Sequence, residues 1–350
     1  MGKPNDLLRT GGDGNELLQD LRGLIASARA ALACQVNEQL TLLYWHVGRR
    51  IRDELLGPER ADYGKEIVSA LGRELTREFG KSFSDKSLWH MIRFAEVFSD
   101  EQILSALRRE LSWTHFKKLI YIEDPLKRDF YSELCRVERW TTRTLENKIN
   151  GMLYERTALS RKPAELIRQE IDALRFEGRM TPDLVFRDPY LLDFLGLKDT
   201  FRERDVESAI IRELERFILE LGAGFAFVAR QKRISVDDDD HYLDLLFFHR
   251  GMRRLVAIEL KLGEFRAADK GQMELYLKWL QKHEVQPGEE APIGLILCAG
   301  KKRETVQLLE LDKANIRVAS YWLDALPRRL LEQKLRDAVA LARGGTRQLD

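Results

Sequence analysis

Three ionisable side chains, Asp244, Glu259 and Lys261, lie inside stretches otherwise apolar enough to be buried. Asp244 is surrounded by Leu243, Leu245, Leu246, Phe247 and Phe248. Glu259 and Lys261 are surrounded by Val256, Ala257, Ile258 and Leu260. A charged turn with Arg250, Gly251, Arg253 and Arg254 separates the two runs, which together read as a β-hairpin over 242–261. Period-2 geometry assigns Leu243, Leu245 and Phe247 to one face of the first strand, and Tyr242, Asp244, Leu246 and Phe248 to the other. On the second strand Ala257, Glu259 and Lys261 share a face opposite Val256, Ile258 and Leu260. A buried charge without a partner is costly, so these groups must pair or hold a metal. Two carboxylates suit a hard divalent cation, Mg2+ or Mn2+, with Asp244 and Glu259 as ligands and the Leu260 carbonyl available to join them. The chemistry this implies is metal-assisted hydrolysis. Lys261 would orient or deprotonate the attacking water, or stabilise developing charge. Burial favours the low pKa a base needs and the adjacent carboxylates oppose it, so charge stabilisation is the expected role. The competing interpretation is a structural ion pair between Lys261 and one carboxylate.

The flanking elements add candidates. A helix over 205–221 carries an apolar stripe of Ile211, Leu214, Ile218 and Leu221. The same 3.6-residue period places Glu207 on its buried face, whereas an acid in the first turn is also favoured by the helix dipole alone. Gln231, between Arg230 and Lys232 on a strand over 225–234, is a candidate substrate contact. Gln272 and Tyr276 share one face of a helix over 268–282. The run Asp237 to Asp240 lacks the glycine and terminal glutamate of a calcium loop and is read as a solvated polar loop.

The element order over this half is α-β-β-β-α-β, with further strands at 293–299 and 316–322, helices at 304–311 and 326–343, and a mixed sheet flanked by helices as the expected architecture. Order and residues together resemble the PD-(D/E)XK nuclease superfamily. Glu259, Leu260 and Lys261 supply the second half of its motif. Leu243 stands where the motif name has proline, a position that varies widely in the superfamily. The resemblance implies phosphodiester hydrolysis, with metal activation of water and neutralisation of the scissile phosphate. It also implies a metal-binding role for Glu207 beside Asp244 and Glu259. Gln272 and Tyr276 resemble an extra motif of RecB-like nucleases, in which such residues support site geometry or substrate.

The remainder of the chain reads as helical. Leu17, Leu21, Leu24, Ile25, Leu32, Leu40, Leu43, Val47 and Ile51 recur at helical spacing through 16–56, as one helix or two in series. Within it Trp45 and Gly48 read as a packed aromatic and a point of close helix contact. Helices over 64–79 and 84–98, broken at Gly80 and capped by Ser84 or Asp85, suit a helix-turn-helix, and equally any small helical bundle. As a DNA reader it would present Lys81, Ser82, Lys86, Ser87, Trp89, His90 and Arg93, of which Lys86 and Arg93 are the principal candidates. Further helices are expected over 100–111, 113–122, 125–136, 141–154 and 164–176. Residues 1–14 read as a frayed terminus.

Composition sets the outer bounds. The 350 residues are 44% hydrophobic and 33% charged with a net charge of +1, which describes a globular chain and excludes a generally basic nucleic-acid coat. No apolar run reaches the ~18 residues of a membrane span, and the N-terminus has no signal-peptide pattern. Three scattered cysteines form no zinc or disulfide framework, which fits a reducing cytoplasm.

Several segments resemble the YhcG family of bacterial proteins more closely: Glu220 to Phe227, Arg230 to Arg233, Asp244 to Arg250 and Gly271 to Tyr276, together with Trp45 to Arg49, Tyr63 to Lys65, Phe83 to Ser84 and Leu111 to His115. That resemblance implies a helical, DNA-binding domain over 16–158, a linker and lead-in segment over 159–200, and a restriction-endonuclease-like αβββαβ nuclease domain over 201–343, α+β overall. Nucleic acid, with DNA as the expected form, is the implied partner. Many nucleases of this kind cut both strands as dimers, so a homo-oligomer is a further expectation. The functional alternatives are a non-catalytic DNA-binding or assembly module that retains the fold, and an RNA-directed nuclease.

Overall fold

A computed structural model describes residues 12–55, 61–157, 162–197, 202–237, 239–323 and 333–335. The expected frayed terminus falls mostly outside this range, as does the helix expected over 326–343 apart from 333–335. The chain divides into two compact units, Met1–Leu145 and Glu146–Asp350. None of the described helices is long and apolar enough to cross a membrane.

The first unit is all-helical. Helix α1 (Gly12–Leu55) is one continuous element, followed by α2 (Ala61–Phe79), α3 (Asp85–Val97), α4 (Glu101–Leu107), α5 (Trp113–Leu119) and α6 (Pro125–Val137). Helix α7 (Thr142–Asn150) contains the division between units. Gly48 lets α1 and α3 touch at the backbone, since a Cβ there would lie 1.8 Å from the Met91 carbonyl oxygen. Trp45 is buried and donates its indole N–H to the Phe98 carbonyl at 2.8 Å. Helix α2 ends where Gly80 adopts φ +91°, a conformation open to glycine. A single turn at Lys81–Phe83 follows, and Ser84 then occupies the cap position of α3.

In the second unit α8 (Leu153–Arg156), α9 (Ala164–Asp172) and α10 (Pro182–Val185) lead to a short strand, β1 (Tyr190–Leu191). Then come α11 (Glu203–Arg212), α12 (Leu214–Leu221), β2 (Phe225–Val236), β3 (Asp239–His249), β4 (Arg254–Glu264), α13 (Ala267–His283), β5 (Ile293–Gly300), α14 (Arg303–Leu308) and β6 (Ile316–Trp322). The strands form one sheet in the order β1-β6-β5-β4-β3-β2. The β2–β3 and β3–β4 pairs are antiparallel, and β4–β5, β5–β6 and β6–β1 are parallel. One face packs Leu245, Phe247, Val256, Ile258 and Leu260 against Val206, Ile210 and Phe217 of α11 and α12. The other packs Leu246, Ala257 and Ile296 against Met273, Tyr276 and Leu280 of α13.

Four expectations are corrected. The helix expected over 205–221 is two helices, because Glu213 leaves helical geometry at φ −107°, ψ 31°. Asp239 and Asp240 belong to β3 rather than to a loop, and the Asp240 carboxylate accepts hydrogen bonds from Arg233 and Ser235. The lead-in segment contributes β1 to the sheet edge. Leu243 packs with Leu246 on the α13 side, not with Leu245 and Phe247. Simple alternation fails there beside Gln231, which precedes Leu243's partner Lys232 and adopts φ +47°.

Candidate active site

The β3–β4 ladder stops at Leu245–Ile258, so Asp244 and Glu259 occupy the first positions beyond it. From there β3 continues with β2, through Lys232–Leu243, while β4 continues with β5, through Glu259–Ile296 and Lys261–Cys298. The strands part, and the fork holds the three ionisable groups. Asp244 bridges it, with Oδ2 accepting the Leu260 backbone N–H at 2.8 Å. Its Oδ1 accepts from the Gln231 side-chain amide at 3.0 Å.

Glu259 is buried and points toward α13, as period-2 geometry on β4 requires. Its Oε1 accepts from Lys261 Nζ at 3.1 Å and from Gln272 Nε2 at 3.1 Å. The Gln272 carbonyl oxygen lies 3.4 Å from Lys261 Nζ, so one amide holds both members of the ion pair. Gln272 Nε2 also donates to the Tyr276 hydroxyl at 2.7 Å, and that hydroxyl reaches the Tyr242 carbonyl at 3.5 Å. The sequence-predicted residues are therefore brought together as two hydrogen-bonded groups, Asp244 with Gln231 and Glu259 with Lys261, Gln272 and Tyr276, held side by side by the Asp244 bond to the Leu260 N–H.

Glu207 is buried on the sheet-facing side of α11, as its helical phase predicts. Its Oε1 accepts from Arg230 Nε, so its carboxylate is engaged in an ion pair. Among the described residues no three His, Cys, Asp or Glu side chains converge as a metal-holding group. Asp244 and Glu259 lie together at the fork, and Glu207, near enough for its charge to act on Asp244, is paired through Oε1 with Arg230 on β2.

The electrostatics follow from burial in the fork. Desolvation, reinforced by the Asp244 charge, pushes the Glu259 carboxyl up to about 7 despite the nearby Lys261. Desolvation also raises Asp244, against the Leu260 N–H that stabilises its ionised form, and the charge of Glu207 adds to the rise. Burial alone would lower Lys261, but the charges of Glu259, Glu203 and Asp269 outweigh it and the ammonium is held above its usual range. These surroundings favour the ammonium form of Lys261, which suits charge stabilisation better than general-base chemistry.

The donor set fits a hard divalent cation. Glu259 Oε2 is buried without a hydrogen-bond partner, which is costly for a carboxylate oxygen. Both carboxylates are held in protonation-prone surroundings that a cation would reverse. Asp244, Glu259 and the Leu260 carbonyl would hold it, with water completing the oxygen shell.

Sequence reasoning missed Glu203 and Tyr321. Glu203 Oε1 accepts the Leu262 N–H at 3.1 Å, and the Tyr321 hydroxyl lies 3.4 Å from the Lys261 carbonyl. Both brace β4 where its register with β5 slips between Lys261 and Glu264. No local pattern marks either residue.

The two N-terminal candidates lie in the first unit. Lys86 is exposed in the first turn of α3. Arg93 is half-buried, donates from Nε to the Ile120 carbonyl at 3.0 Å and lies over the Tyr121 ring at 5.9 Å, so it serves packing between α3 and the end of α5.

Comparison with known proteins accounts for both units. Residues 183–338 match the YhcG PDDEXK nuclease domain, and residues 20–156 match the DUF1016 N-terminal domain. A protein of Escherichia coli (strain K12) named "Putative nuclease YhcG" is 34% identical over 357 residues, covering 93% of this chain and 94% of its own length. The crystal structure of a repair endonuclease from Pyrococcus abyssi aligns with 35% of this chain and 49% of its own at 17% identity and a TM-score of 0.25, too slight a likeness to carry an argument. The matches to both halves and the near full-length relative show that the chain belongs to the YhcG family, with a PDDEXK nuclease domain at its C-terminal end.

Proposed function

We propose that this chain is a divalent-metal-dependent nuclease that hydrolyses phosphodiester bonds in DNA, with Asp244, Glu259 and Lys261 as its catalytic residues. The observation that carries the reading is the unpartnered, buried Glu259 Oε2 beside Asp244 at the fork of β3 and β4. A bound Mg2+ or Mn2+ would lower the pKa of an attacking water and offset charge on the scissile phosphate. Lys261, held protonated, stabilises the negative charge that develops on the phosphoryl oxygens. Gln272 fixes the distance between Lys261 and Glu259, so neither group must reorganise as charge moves. The Leu260 N–H and Gln231 hold the Asp244 carboxylate in one orientation. Gln231 lies beside the cluster as a substrate contact; Tyr276, expected to be one, is buried in the α13 core and instead holds Gln272 in place, and Glu207 with Arg230 sets the charge on the far side of the cluster. Glu207 joins the metal site only if Arg230 releases it.

DNA is favoured over RNA by the helix–turn–helix order of α2 and α3, with Lys86 exposed at the start of the second helix. The test is cleavage of supercoiled, linear, single-stranded and branched DNA and of RNA, with Mg2+, with Mn2+ and with chelator. Wild type, Asp244→Ala and Lys261→Ala are compared. Metal-dependent cutting of DNA that both variants lose is the expected result. Cutting that persists in Asp244→Ala overturns the site. DNA binding by wild type without metal-dependent cutting favours a binding module.

A further inference from the structure

Where α3 meets the end of α5 and the start of α6, cations gather without acids to pair with. Lys86, His90 and Arg93 recur at the spacing of one face of α3, about 10 Å from first to last. Beside them Tyr121, 58% exposed, follows α5, and its hydroxyl lies 2.7 Å from His90 Nδ1. The Arg93 guanidinium lies over the same ring. Lys117 stands four residues before Tyr121. Burial, and then the charges of Lys117 and Lys86, hold His90 below its usual range. Burial holds Arg128 below its own, with Arg93 adding to the effect and Asp129 and Asp124 opposing it. These contacts and fields join the residues into one basic surface across three helices.

The surface lacks counter-charge. Among the described residues Lys86, Arg93, Lys117 and Arg128 make no ion pair, although the last three are half-buried. Arg50, Arg77 and Arg136 of the same unit each meet a carboxylate. Arg128 Nε is buried with no hydrogen-bond partner. Cations partly withdrawn from water with no acid beside them are costly in the free protein, and an anion that binds there offsets the cost. We propose that this surface binds the phosphate backbone of the DNA substrate and does so without reading base sequence. The proposal rests on the reading of the chain as a DNA nuclease, which makes the anion a nucleic acid. Phosphate oxygens accept from lysine, arginine and tyrosine side chains alike, and such contacts hold a protein in register while carrying no sequence information. Indifference to sequence follows from α3 itself. Of its 13 residues only Asp85, Lys86 and Glu96 are exposed, and its middle is flanked by Tyr121. A groove-reading helix needs the side chains of its first turns free to reach base edges. Ser87, Trp89 and His90 are half-buried, which leaves Lys86 to meet the backbone.

The experiment is fluorescence anisotropy of labelled duplexes of several sequences with the full chain in chelator, from about 50 mM to about 200 mM salt. Wild type, Lys86→Gln/Lys117→Gln and Arg50→Gln/Arg77→Gln are compared, with circular dichroism to verify equal helix content. The first pair is expected to weaken binding by ~10-fold or more at the lower salt, equally for every sequence, and to reduce the slope of log K against log salt by roughly 2. The second pair removes the same charge from cations that already have partners and is expected to leave affinity and slope within about twofold of wild type. Unchanged binding in the first pair, equal loss in both pairs, loss confined to one sequence, or a wild type that binds no duplex each overturns the proposal. Chelator keeps binding apart from metal-dependent cutting. A chain that cuts DNA while the first pair binds as tightly as wild type sinks this surface alone, and a chain that binds through it without cutting sinks the nuclease reading alone.

Discussion

Glu259→Gln should stabilise the metal-free protein at alkaline pH, and the size of the gain follows from the fork. The Glu259 carboxyl is raised from an ordinary value of 4.5 to about 7 by burial and by Asp244. In the unfolded chain it ionises near 4.5, so between that value and 7 the folded state holds a proton that the unfolded state has released. Stability then falls as pH rises through this window, because the unfolded state binds fewer protons. At about 1.4 kcal/mol per unit, the shift amounts to roughly 3 kcal/mol of stability absent above pH 7 and present below pH 4.5. Glutamine is the isostere of the protonated acid and keeps an oxygen toward Lys261. The variant should match wild type near pH 5 and exceed it by up to ~3 kcal/mol near pH 8, with Asp244 taking up part of the difference. The assay is urea unfolding in chelator at the two pH values, read by hydrogen exchange of peptides from β4 and β5 so that it reports on the second unit alone. An equal stability difference between variant and wild type at both pH values would refute the reasoning, since no proton would then be linked to folding at Glu259.

Mn2+ should raise the unfolding temperature of wild type more at pH 8 than at pH 6, because binding must displace the proton that burial favours on Glu259, and Asp244→Ala should abolish the rise in a thermal scan. Lys261→Met should lower kcat by roughly 10²-fold or more while leaving Mn2+ binding by calorimetry intact; a loss confined to KM would contradict a transition-state role. Gly48→Ala should destabilise the first unit by about 2 kcal/mol or more, since α1 and α3 must separate to admit the methyl group, and urea unfolding with tryptophan fluorescence measures it. Trp45→Phe should cost about 1–2 kcal/mol in the same assay by leaving the Phe98 carbonyl without its donor.

How much of this was legible in the amino-acid sequence differs between the two strands of the hairpin. On β4 the alternation of Val256, Ile258 and Leu260 with Ala257, Glu259 and Lys261 placed each side chain on the face it occupies, because that strand keeps an unbroken ladder with β5 from Val256 to Lys261. The helical phase of α11 likewise put Glu207 on its buried side, and the Gln272–Tyr276 spacing put both on the face that meets β4. Local periodicity suffices wherever the element is regular. On β3 it failed at Leu243, since Gln231 in the neighbouring strand leaves the β region and the pleat is interrupted.

What the tertiary structure decided is the fork itself. No local pattern states that the β3–β4 ladder ends at Leu245–Ile258, because that depends on which strand each partner follows afterward. The engagement of Glu207 by Arg230, the bracing of β4 by Glu203 and Tyr321, and the addition of the two-residue β1 join positions far apart in the chain. The types and spacing of the reactive residues are set by covalent order and backbone period. Which of their atoms are left without partners is set by packing between elements distant in sequence, and that is where the Glu259 carboxylate acquires its raised pKa.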